Sequence, residues 1–374
     1  MIIKNSRIVL SDKVINGYVS FEDGKITNVV EGEYKENDES IDANGLILMP
    51  GFIDVHIHGS AGIDFMDADV DDFKKISESL FEEGVTTYLA TTLTSDKSSL
   101  VKVCKNVKEA KLNNPSLYGI HFEGPYISKK YKGAQNEEFI RNPNIKEFDE
   151  LQKISGGNVK YISMAPELEG SMEFIKHVSN SGVTVSAGHT DATFDDIKEA
   201  IKSGLTNTTH THNAMSPHHH RNPGVVSAAM YFDELYTECI CDRIHVCDNT
   251  LKTFMKVVTP ERFVMITDAL KIKNSEINEF KLFGLDCERK NGAAYLKTGP
   301  LAGSLLTMEK GIKNIKEVCG LSLMDLSKIS SRNAARSLHL VDRGEIKTGM
   351  LADFVLLDDE LNVKQVYKLG KRVK

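Results

Sequence analysis

The chain has 374 residues, enough for one large domain with a small companion, and its 41% hydrophobic and 26% charged residues exclude a disordered protein. Its formal net charge of -7 provides no overall positive field to attract nucleic acid or an anionic membrane, so an anionic substrate would need a local basic site. We see no signal-peptide pattern, no apolar run long enough to span a membrane and no C-x-x-C pair, and therefore expect a cytoplasmic protein with reduced thiols.

The two ends of the chain share one style of sequence. The first 50 residues contain short apolar-polar alternations, and Asp23-Gly24 lies between two of them as a hairpin signal. The last residues return to the same pattern. We predict that residues 1–50 and 346–374 pair into one small β-sandwich domain.

The middle of the chain, residues 51–345, alternates short apolar runs with amphipathic helical patterns. About eight such units in a row favour a closed (β/α)8 barrel of the TIM type over an open sheet. The runs predicted as barrel strands are GFIDVHIHG, TTYLATT, LYGIHFEG, VKYISMAPE, VTVSAGH, NTTHTHN, YTECICDRIHV and RFVMITDA.

Chemistry-bearing side chains lie at or near the ends of several of these runs, where a barrel carries its active site. His56 and His58 are two apart on the first strand, so both imidazoles face one side and can share a metal. An H-x-H pair alone is a weak signal, and its position on the first barrel strand strengthens it. It predicts a metal site.

Glu123, His189 and His210 end three further runs. Imidazole suits zinc and other borderline metals, and a carboxylate broadens the choice toward iron or manganese. Taken alone, Glu123 could equally be a strand-end carboxylate paired with a lysine. Asp268, at the end of RFVMITDA, can exchange a proton with an attacking water and a leaving nitrogen, or it can simply cap the next helix.

These motifs occur together in one known family. PGFIDVHIHG, HFEGPYIS, SAGHTDA, THTHNAM followed by RNPG, and LAGSLLTM resemble, in this order, the N-acetylglucosamine-6-phosphate deacetylases of the amidohydrolase superfamily. The resemblance covers nearly the whole chain. It implies a homodimer that converts N-acetylglucosamine 6-phosphate to glucosamine 6-phosphate and acetate in amino-sugar catabolism. From the net charge and the lack of a membrane span we expect no nucleic-acid or membrane partner.

The resemblance also implies roles for individual residues. Glu123, His189 and His210 would hold the main divalent metal, zinc, iron or similar. His56 and His58 would supply a second site bridged by Glu123, so one or two ions per subunit are expected. Asp268 matches the general acid/base, and His245 matches a histidine that polarises the amide carbonyl or contacts the sugar.

Substrate contacts carry over by the same motifs. Arg221 matches an arginine that binds the 6-phosphate, within its own subunit or across a dimer. His218, His219 and His220 precede it in a polar loop that we interpret as phosphate-facing or solvated. The remaining residues matched to the sugar and its acetyl group are Gly133, Ala134, Gln135, Asn213, Ala214, Leu301, Ala302 and Gly303.

Some positions depart from the family pattern. Many relatives have histidine where Gln135 stands and an aromatic residue where His212 stands. Three alternatives stay open at this point: a deacetylase of the galactosamine isomer, another amidohydrolase such as a cyclic amidase or deaminase, and a non-catalytic sugar-phosphate sensor. A cyclic amidase would often use a lysine as bridging ligand, and here Glu123 already offers the bridge.

Overall fold

The computed structural model describes residues 1–35, 39–282 and 284–374. Its strands, in chain order, are β1 Ile2–Val9, β2 Val14–Glu22, β3 Lys25–Glu31, β4 Ser40–Asp42, β5 Ile47–Pro50, β6 Phe52–Asp54, β7 Gly59–Ser60, β8 Ile63–Asp64, β9 Val85–Thr92, β10 Leu117–Glu123, β11 Val159–Met164, β12 Thr184–Ala187, β13 Asn207–Thr208, β14 Tyr236–Ile240, β15 Phe263–Ile266, β16 Glu279–Leu282, β17 Leu285–Lys290, β18 Ala293–Leu296, β19 Leu301–Ser304, β20 Phe354–Leu357, β21 Val363–Lys368 and β22 Lys371–Arg372. Its α-helices are α1 Asp72–Phe81, α2 Lys97–Ala110, α3 Ile145–Ile154, α4 Ser171–Asn180, α5 Phe194–Ser203, α6 Val225–Tyr231, α7 Asp248–Arg262, α8 Met308–Cys319, α9 Leu323–Ser327 and α10 Asn333–Ser337. Strands come first and last, and helices alternate with strands between them.

Eight parallel strands form the barrel, in the order β6, β9, β10, β11, β12, β13, β14 and β15. A helix follows each strand in the chain, from α1 after β6 to α8 after β15. All eight residues of β9 are buried, as expected for a parallel strand with helices outside and side chains inside. Each of the eight runs predicted from the sequence overlaps one of these strands, so the predicted (β/α)8 barrel is confirmed.

The barrel closes where its first and last strands meet, just beyond the ends of β6 and β15. The backbone N–H of His58 donates to the carbonyl of Ala269 at 2.9 Å, and the N–H of Asp268 donates to the carbonyl of His56 at 2.8 Å. We call this junction the seam. It fixes the backbone on both sides of the first predicted metal ligands.

The helices form for reasons that are visible in the sequence. α5 begins with a capping box in which Thr193 and Asp196 each accept a backbone N–H of the other residue, and it ends at Gly204 with a φ of 111°. Ile197 and Ala200 lie on its buried face against the barrel. None of the helices in the described ranges has both the length and the hydropathy that a membrane crossing requires.

A second sheet joins the two ends of the chain, in the order β22, β21, β20, β5, β1, β2 and β3, with β4 beside β1. Asp23 and Gly24 form the predicted hairpin turn between β2 and β3, both with positive φ. Phe21, Phe354 and Tyr367 pack edge to face inside this sheet, with ring centroids 5.5 to 6.4 Å apart. Strands from both termini therefore enclose a second core, as the sandwich prediction requires.

A third sheet of four antiparallel strands, β16 to β19, lies between β15 and α8. This sheet was not predicted from the sequence, because its strands are short and several of their residues are exposed and charged. Leu301, Ala302 and Gly303, which the sequence matches to the sugar and its acetyl group, belong to β19. The N–H of Ser304 donates to the carbonyl of Asp268 at 2.9 Å, which attaches this sheet to the rim of the barrel.

Candidate active site

Seven ionisable side chains singled out in the sequence meet at one end of the barrel. They end or follow strands β6, β10, β12, β13, β14 and β15, and the carboxyl ends of parallel barrel strands lie on the same face. In chain order they are His56, His58, Glu123, His189, His210, His245 and Asp268.

The first group consists of Glu123, His189 and His210, all buried. Oε1 of Glu123 lies 3.1 Å from Nε2 of His189 and 3.1 Å from Nε2 of His210. The two imidazole nitrogens are themselves 3.1 Å apart. Three potential ligand atoms thus form a nearly equilateral triangle.

The second group consists of His56, His58 and Asp268, also buried. Oδ1 of Asp268 lies 3.1 Å from Nε2 of His58 and 3.5 Å from Nε2 of His56. Glu123 borders this group as well, because its Oε1 is 3.3 Å from Nε2 of His56 and its Oε2 is 3.5 Å from Nε2 of His58. The two groups therefore share one carboxylate.

The donor atoms of both groups fit a divalent cation. Ligand atoms about 2.0 Å from a tetrahedral ion lie roughly 3.3 Å from one another, close to the spacings found here. Nε2 of His56 is buried and has no hydrogen-bond partner among the described residues. Such an atom, next to carboxylate oxygens, matches the imidazole-and-carboxylate sets that bind zinc, iron or manganese.

The charge balance points the same way. Within the described ranges, the ion-pair partners of Glu123 and Asp268 are all histidines. Burial alone would raise the pKa of the Glu123 carboxyl, but His56 and His189 hold that pKa well below its ordinary value. Burial alone would lower the pKa of His56, yet Asp268 and Glu123 raise it well above its usual range. The site therefore favours positive charge, which a divalent cation supplies.

Three of these residues have left-handed backbone conformations. The φ angles are 48° at His189, 32° at His210 and 47° at Asp268. Residues other than glycine rarely adopt this region, which costs of order 1–3 kcal/mol at each position. The strain is held by backbone hydrogen bonds such as that from the N–H of Ser128 to the carbonyl of His189, at 2.8 Å.

A pocket of about 350 Å³ opens in front of the two groups. His58, Glu123, His189, His210 and Asp268 lie along its wall. It is also lined by most residues that the sequence assigned to the substrate, namely Gly133, Ala134, Gln135, Asn213, Ala214, His245, Leu301, Ala302 and Gly303. The chain therefore brings these distant segments to one cavity.

Arg221 is the exception. It is exposed on the loop before α6, and the described residues that line the pocket of the same chain do not include it. Nδ1 of His219 accepts the N–H of Arg221 at 3.3 Å, and Nδ1 of His218 lies 2.9 Å from the hydroxyl of Ser227. These histidines shape their own loop, and neither candidate metal group contains them.

His245 is oriented by a carboxylate that the sequence analysis did not single out. Oδ2 of Asp242 lies 2.6 Å from Nδ1 of His245, and its Oδ1 accepts the N–H groups of Ile244 and His245 at 2.8 Å each. Burial alone would lower the pKa of His245, but Asp242 raises it above its ordinary value. With Nδ1 engaged, Nε2 is the nitrogen left for a ligand in the pocket.

Two further residues beneath the site were also missed. Glu238 on β14 is fully buried and lies beside His56, and its Oε1 accepts the hydroxyl of Tyr161. The signal was present, because a carboxylate in the middle of a buried barrel strand always needs a partner. Glu238 lies in the interior of its strand, whereas the predicted ligands lie at strand ends.

Comparison with known protein families extends this result. The sequence model of the Amidohydrolase family matches residues 47–373. The N-acetylglucosamine-6-phosphate deacetylase of Bacillus subtilis (strain 168) is 37% identical over 97% of this chain and 94% of its own length. The N-acetylgalactosamine-6-phosphate deacetylase of Escherichia coli O157:H7 is 32% identical over 87% of each chain.

Solved structures match over the same extent. The N-acetylglucosamine-6-phosphate deacetylase of Thermotoga maritima has a TM-score of 0.93 and 36% identity, covering 100% of this chain and 99% of its own. A mutant N-acetyl-D-glucosamine-6-phosphate deacetylase of Mycobacterium smegmatis, in complex with N-acetyl-D-glucosamine-6-phosphate, has a TM-score of 0.94 and 28% identity, covering 100% and 99%. The likeness therefore includes both domains.

Proposed function

The chain belongs to the amidohydrolase family, and we propose that it deacetylates N-acetylglucosamine 6-phosphate to glucosamine 6-phosphate and acetate in amino-sugar catabolism. One observation carries the proposal: two histidine-carboxylate groups share Glu123 in the wall of a pocket that also contains Asp268. The relatives named for this reaction, which match nearly the whole chain, support the choice of substrate.

The metal is the first component of the proposal. Glu123, His189 and His210 would hold the main ion, and His56 and His58 would hold a second with Glu123 shared between them. We propose zinc, iron or a similar divalent metal, with one or two ions in each subunit. When bound, such a cation lowers the pKa of water from about 15.7 toward about 7 and polarises a carbonyl oxygen.

Asp268 moves the protons. Burial alone would raise the pKa of its carboxyl, but His56 and His58 lower it below the ordinary value, so the group is ionised at neutral pH. As a base, Asp268 accepts a proton from the water whose oxygen attacks the acetyl carbon. It then donates that proton to the sugar nitrogen as the C–N bond breaks, so the products are acetate and the free amine of the sugar phosphate.

His245 lines the same pocket, and we assign it to the acetamide carbonyl or to the sugar. Because Asp242 engages Nδ1 at 2.6 Å, the Nε2–H of the protonated ring can donate to the amide carbonyl or to a sugar hydroxyl. A fixed donor directed at an oxygen that gains charge stabilises the tetrahedral intermediate.

The sugar lies among backbone groups and small side chains. We assign the acetyl end to the segment of β19, the sugar hydroxyls to the segment after β10, and the phosphosugar body to the segment after β13. Small residues allow a sugar to approach the backbone closely. The small residues of these segments are Ala302, Gly303, Gly133, Ala134 and Ala214, and the larger side chains of Leu301, Gln135 and Asn213 line the pocket beside them.

We assign the 6-phosphate to Arg221, whose guanidinium offers a fixed fork of donors to an anion. The position of Arg221 outside the pocket of its own chain supports delivery to the pocket of a second subunit, and hence a homodimer. This is also the local basic site that a chain with a net charge of -7 needs for an anionic substrate. The six free cysteines and the phosphorylated substrate support a cytoplasmic location.

The test is acetate release by the purified, zinc-loaded chain. N-acetylglucosamine 6-phosphate, its galactosamine isomer and unphosphorylated N-acetylglucosamine are compared at equal concentration, and turnover of dihydroorotate and adenine, which have no acetyl group, is followed by ring opening and by ammonia release. We expect the glucosamine phosphate to be the preferred substrate, and a chelator to abolish the activity. Preference for the galactosamine isomer would correct the substrate, and turnover of dihydroorotate or adenine alone would overturn the proposal.

A further inference from the structure

Glu238 is a buried carboxylate for which the proposed mechanism has no use. It lies on β14 inside the barrel with none of its side chain exposed. Within the described ranges its ion-pair partner is His56, and no lysine or arginine lies within ion-pair distance of it. A carboxylate removed from water without a compensating charge or hydrogen bonds is costly. The neighbouring side chains must therefore compensate the buried charge of Glu238.

The contact with His56 determines which nitrogen of that imidazole would bind a metal ion. Oε2 of Glu238 lies 3.3 Å from Nδ1 of His56. On the other side of the ring, Nε2 lies 3.3 Å from Oε1 of Glu123. A carboxylate can only accept, so Nδ1 carries a hydrogen toward Glu238, and Nε2 is the nitrogen that would bind an ion of the second metal group.

Tyr161 fixes the carboxylate itself. Its hydroxyl donates to Oε1 of Glu238, and both side chains are fully buried. Oε1 is thereby engaged, and Oε2 is the oxygen left to face His56. The side chain of Glu238 has no freedom to turn away from the imidazole without breaking this bond.

Glu238 contacts the two metal groups in different ways. It reaches the first group through the backbone, since Oε2 is 3.4 Å from the N–H of His210 and the Glu238 carbonyl accepts the N–H of Thr211 at 2.7 Å. It reaches the second group through the imidazole of His56, a predicted ligand. Nδ1 of His189 has its own acceptor, the carbonyl of Tyr131 at 2.9 Å.

We propose that Glu238 is a positioning residue for the second cation, holding His56 in the tautomer and orientation that let Nε2 bind it. Outer carboxylates of this kind typically change metal affinity by about 10- to 100-fold. The inference rests on the metal centre of the proposed function. It predicts that Glu238 strengthens the binding of the second ion and leaves the binding of the first ion unchanged.

The test is a calorimetric titration of the full-length, metal-free protein with zinc, together with measured metal content. We expect wild type to bind two ions per chain. Glu238→Gln should retain the first ion and bind the second about 10- to 100-fold more weakly. Tyr161→Phe leaves the carboxylate in place, so it should weaken binding of the second ion less than Glu238→Gln does.

Glu147→Gln is the matched control. Glu147 also accepts a tyrosine hydroxyl, that of Tyr126 at 2.9 Å, but it pairs with Arg141 and lies on α3 away from both metal groups. Its zinc affinities should equal those of wild type. Comparing the two variants separates a general effect of removing a carboxylate bonded to a tyrosine from the specific effect of removing Glu238.

Three results would overturn the inference. Wild type could bind only one zinc ion, Glu238→Gln could bind the second ion with wild-type affinity, or Glu238→Gln could bind both ions more weakly by the same factor. If Glu238→Gln does not fold, Tyr161→Phe decides, and a wild-type second affinity in that variant counts against the inference. Acetate release by wild type is measured separately. A chain that binds two ions as expected but releases no acetate would contradict the proposed reaction and leave the role of Glu238 intact.

Discussion

Gln135 and Glu123 share a hydrogen bond of 2.5 Å, from Nε2 of the amide to Oε2 of the carboxylate. The other end of the amide accepts the backbone N–H of Thr94 at 2.7 Å. Because that N–H can only donate, the orientation of the amide is fixed, and its nitrogen must face Glu123. Gln135 therefore holds the carboxylate that both metal groups share, in addition to the sugar contact that the sequence predicted for it.

Gln135→Leu removes both bonds and leaves the N–H of Thr94 buried without a partner. We expect the free energy of unfolding to fall by about 1–3 kcal/mol, the cost of an unsatisfied buried group. kcat/KM should fall about 10- to 100-fold as Glu123 loses its support, since about 1.4 kcal/mol is tenfold. Denaturant unfolding and acetate release measure the two effects. Gln135→His, the residue that the family resemblance implies at this position, should keep most of the activity, and a fully active Gln135→Leu would contradict this role.

Asp268→Asn tests the proton transfers. The amide has nearly the same shape but cannot accept the proton, so kcat should fall by about 10²- to 10⁴-fold. Because Glu123, His189 and His210 are untouched, the ion assigned to them should remain, as measured by metal analysis of the purified variant. Turnover close to that of wild type would remove Asp268 from the mechanism.

Arg221→Ala should raise KM about 10- to 100-fold with little change in kcat, because charge-assisted bonds contribute about 1.5–3 kcal/mol. Delivery of Arg221 to a second subunit has a separate signature. Co-expression of Arg221→Ala with Asp268→Asn would form hybrids with one intact site, restoring about a quarter of the wild-type kcat/KM under random pairing. Hybrids without any recovery would mean that Arg221 serves its own subunit.

Asp96 gives a prediction on stability and pH. It is the N-cap of α2 and accepts the N–H and hydroxyl of Ser99 and the hydroxyl of Ser98, which together lower the pKa of its carboxyl far below the ordinary value. Asp96→Ala should therefore cost about 1 kcal/mol at neutral pH.

The sign of the pH dependence follows from the lowered pKa. The stabilisation is present above the ordinary carboxyl pKa of about 3.9 and is lost as the pH falls below it toward the folded-state value. The difference between wild type and Asp96→Ala should thus shrink in acid. Asp96→Asn, also a good N-cap, should match wild type at neutral pH and lack the pH-dependent part. A difference that stays constant with pH would exclude the carboxylate as its source.

The sequence predicted most of the architecture because two simple periodicities carry it. Runs such as TTYLATT are apolar or small throughout since both faces of a barrel strand are buried, and helical runs such as that of α5 have caps at both ends. The barrel ligands follow from chain direction, since all parallel strands end on one face. The exact domain boundaries at residues 50 and 346 stay a prediction.

What the sequence did not predict depends on contacts between distant segments. The strands β16 to β19 carry exposed charges and have no strong alternation, so nothing local separates them from a loop. The pairing of Glu238 with His56 and of Gln135 with Glu123 arises only after the barrel closes. The roles of Arg221 and the other proposed site residues stay predictions.

The seam has a consequence for the order in which the protein matures. His56 and Asp268 come from the first and last barrel strands, and the neighbouring pair Asp54 and Thr267, joined by a 2.6 Å hydrogen bond, is 213 positions apart. A ribosome-bound chain exposes the first histidines long before their partner carboxylate exists. The complete site therefore forms only after the whole barrel has been synthesised and closed, and we expect no deacetylase activity from a fragment that ends before Asp268.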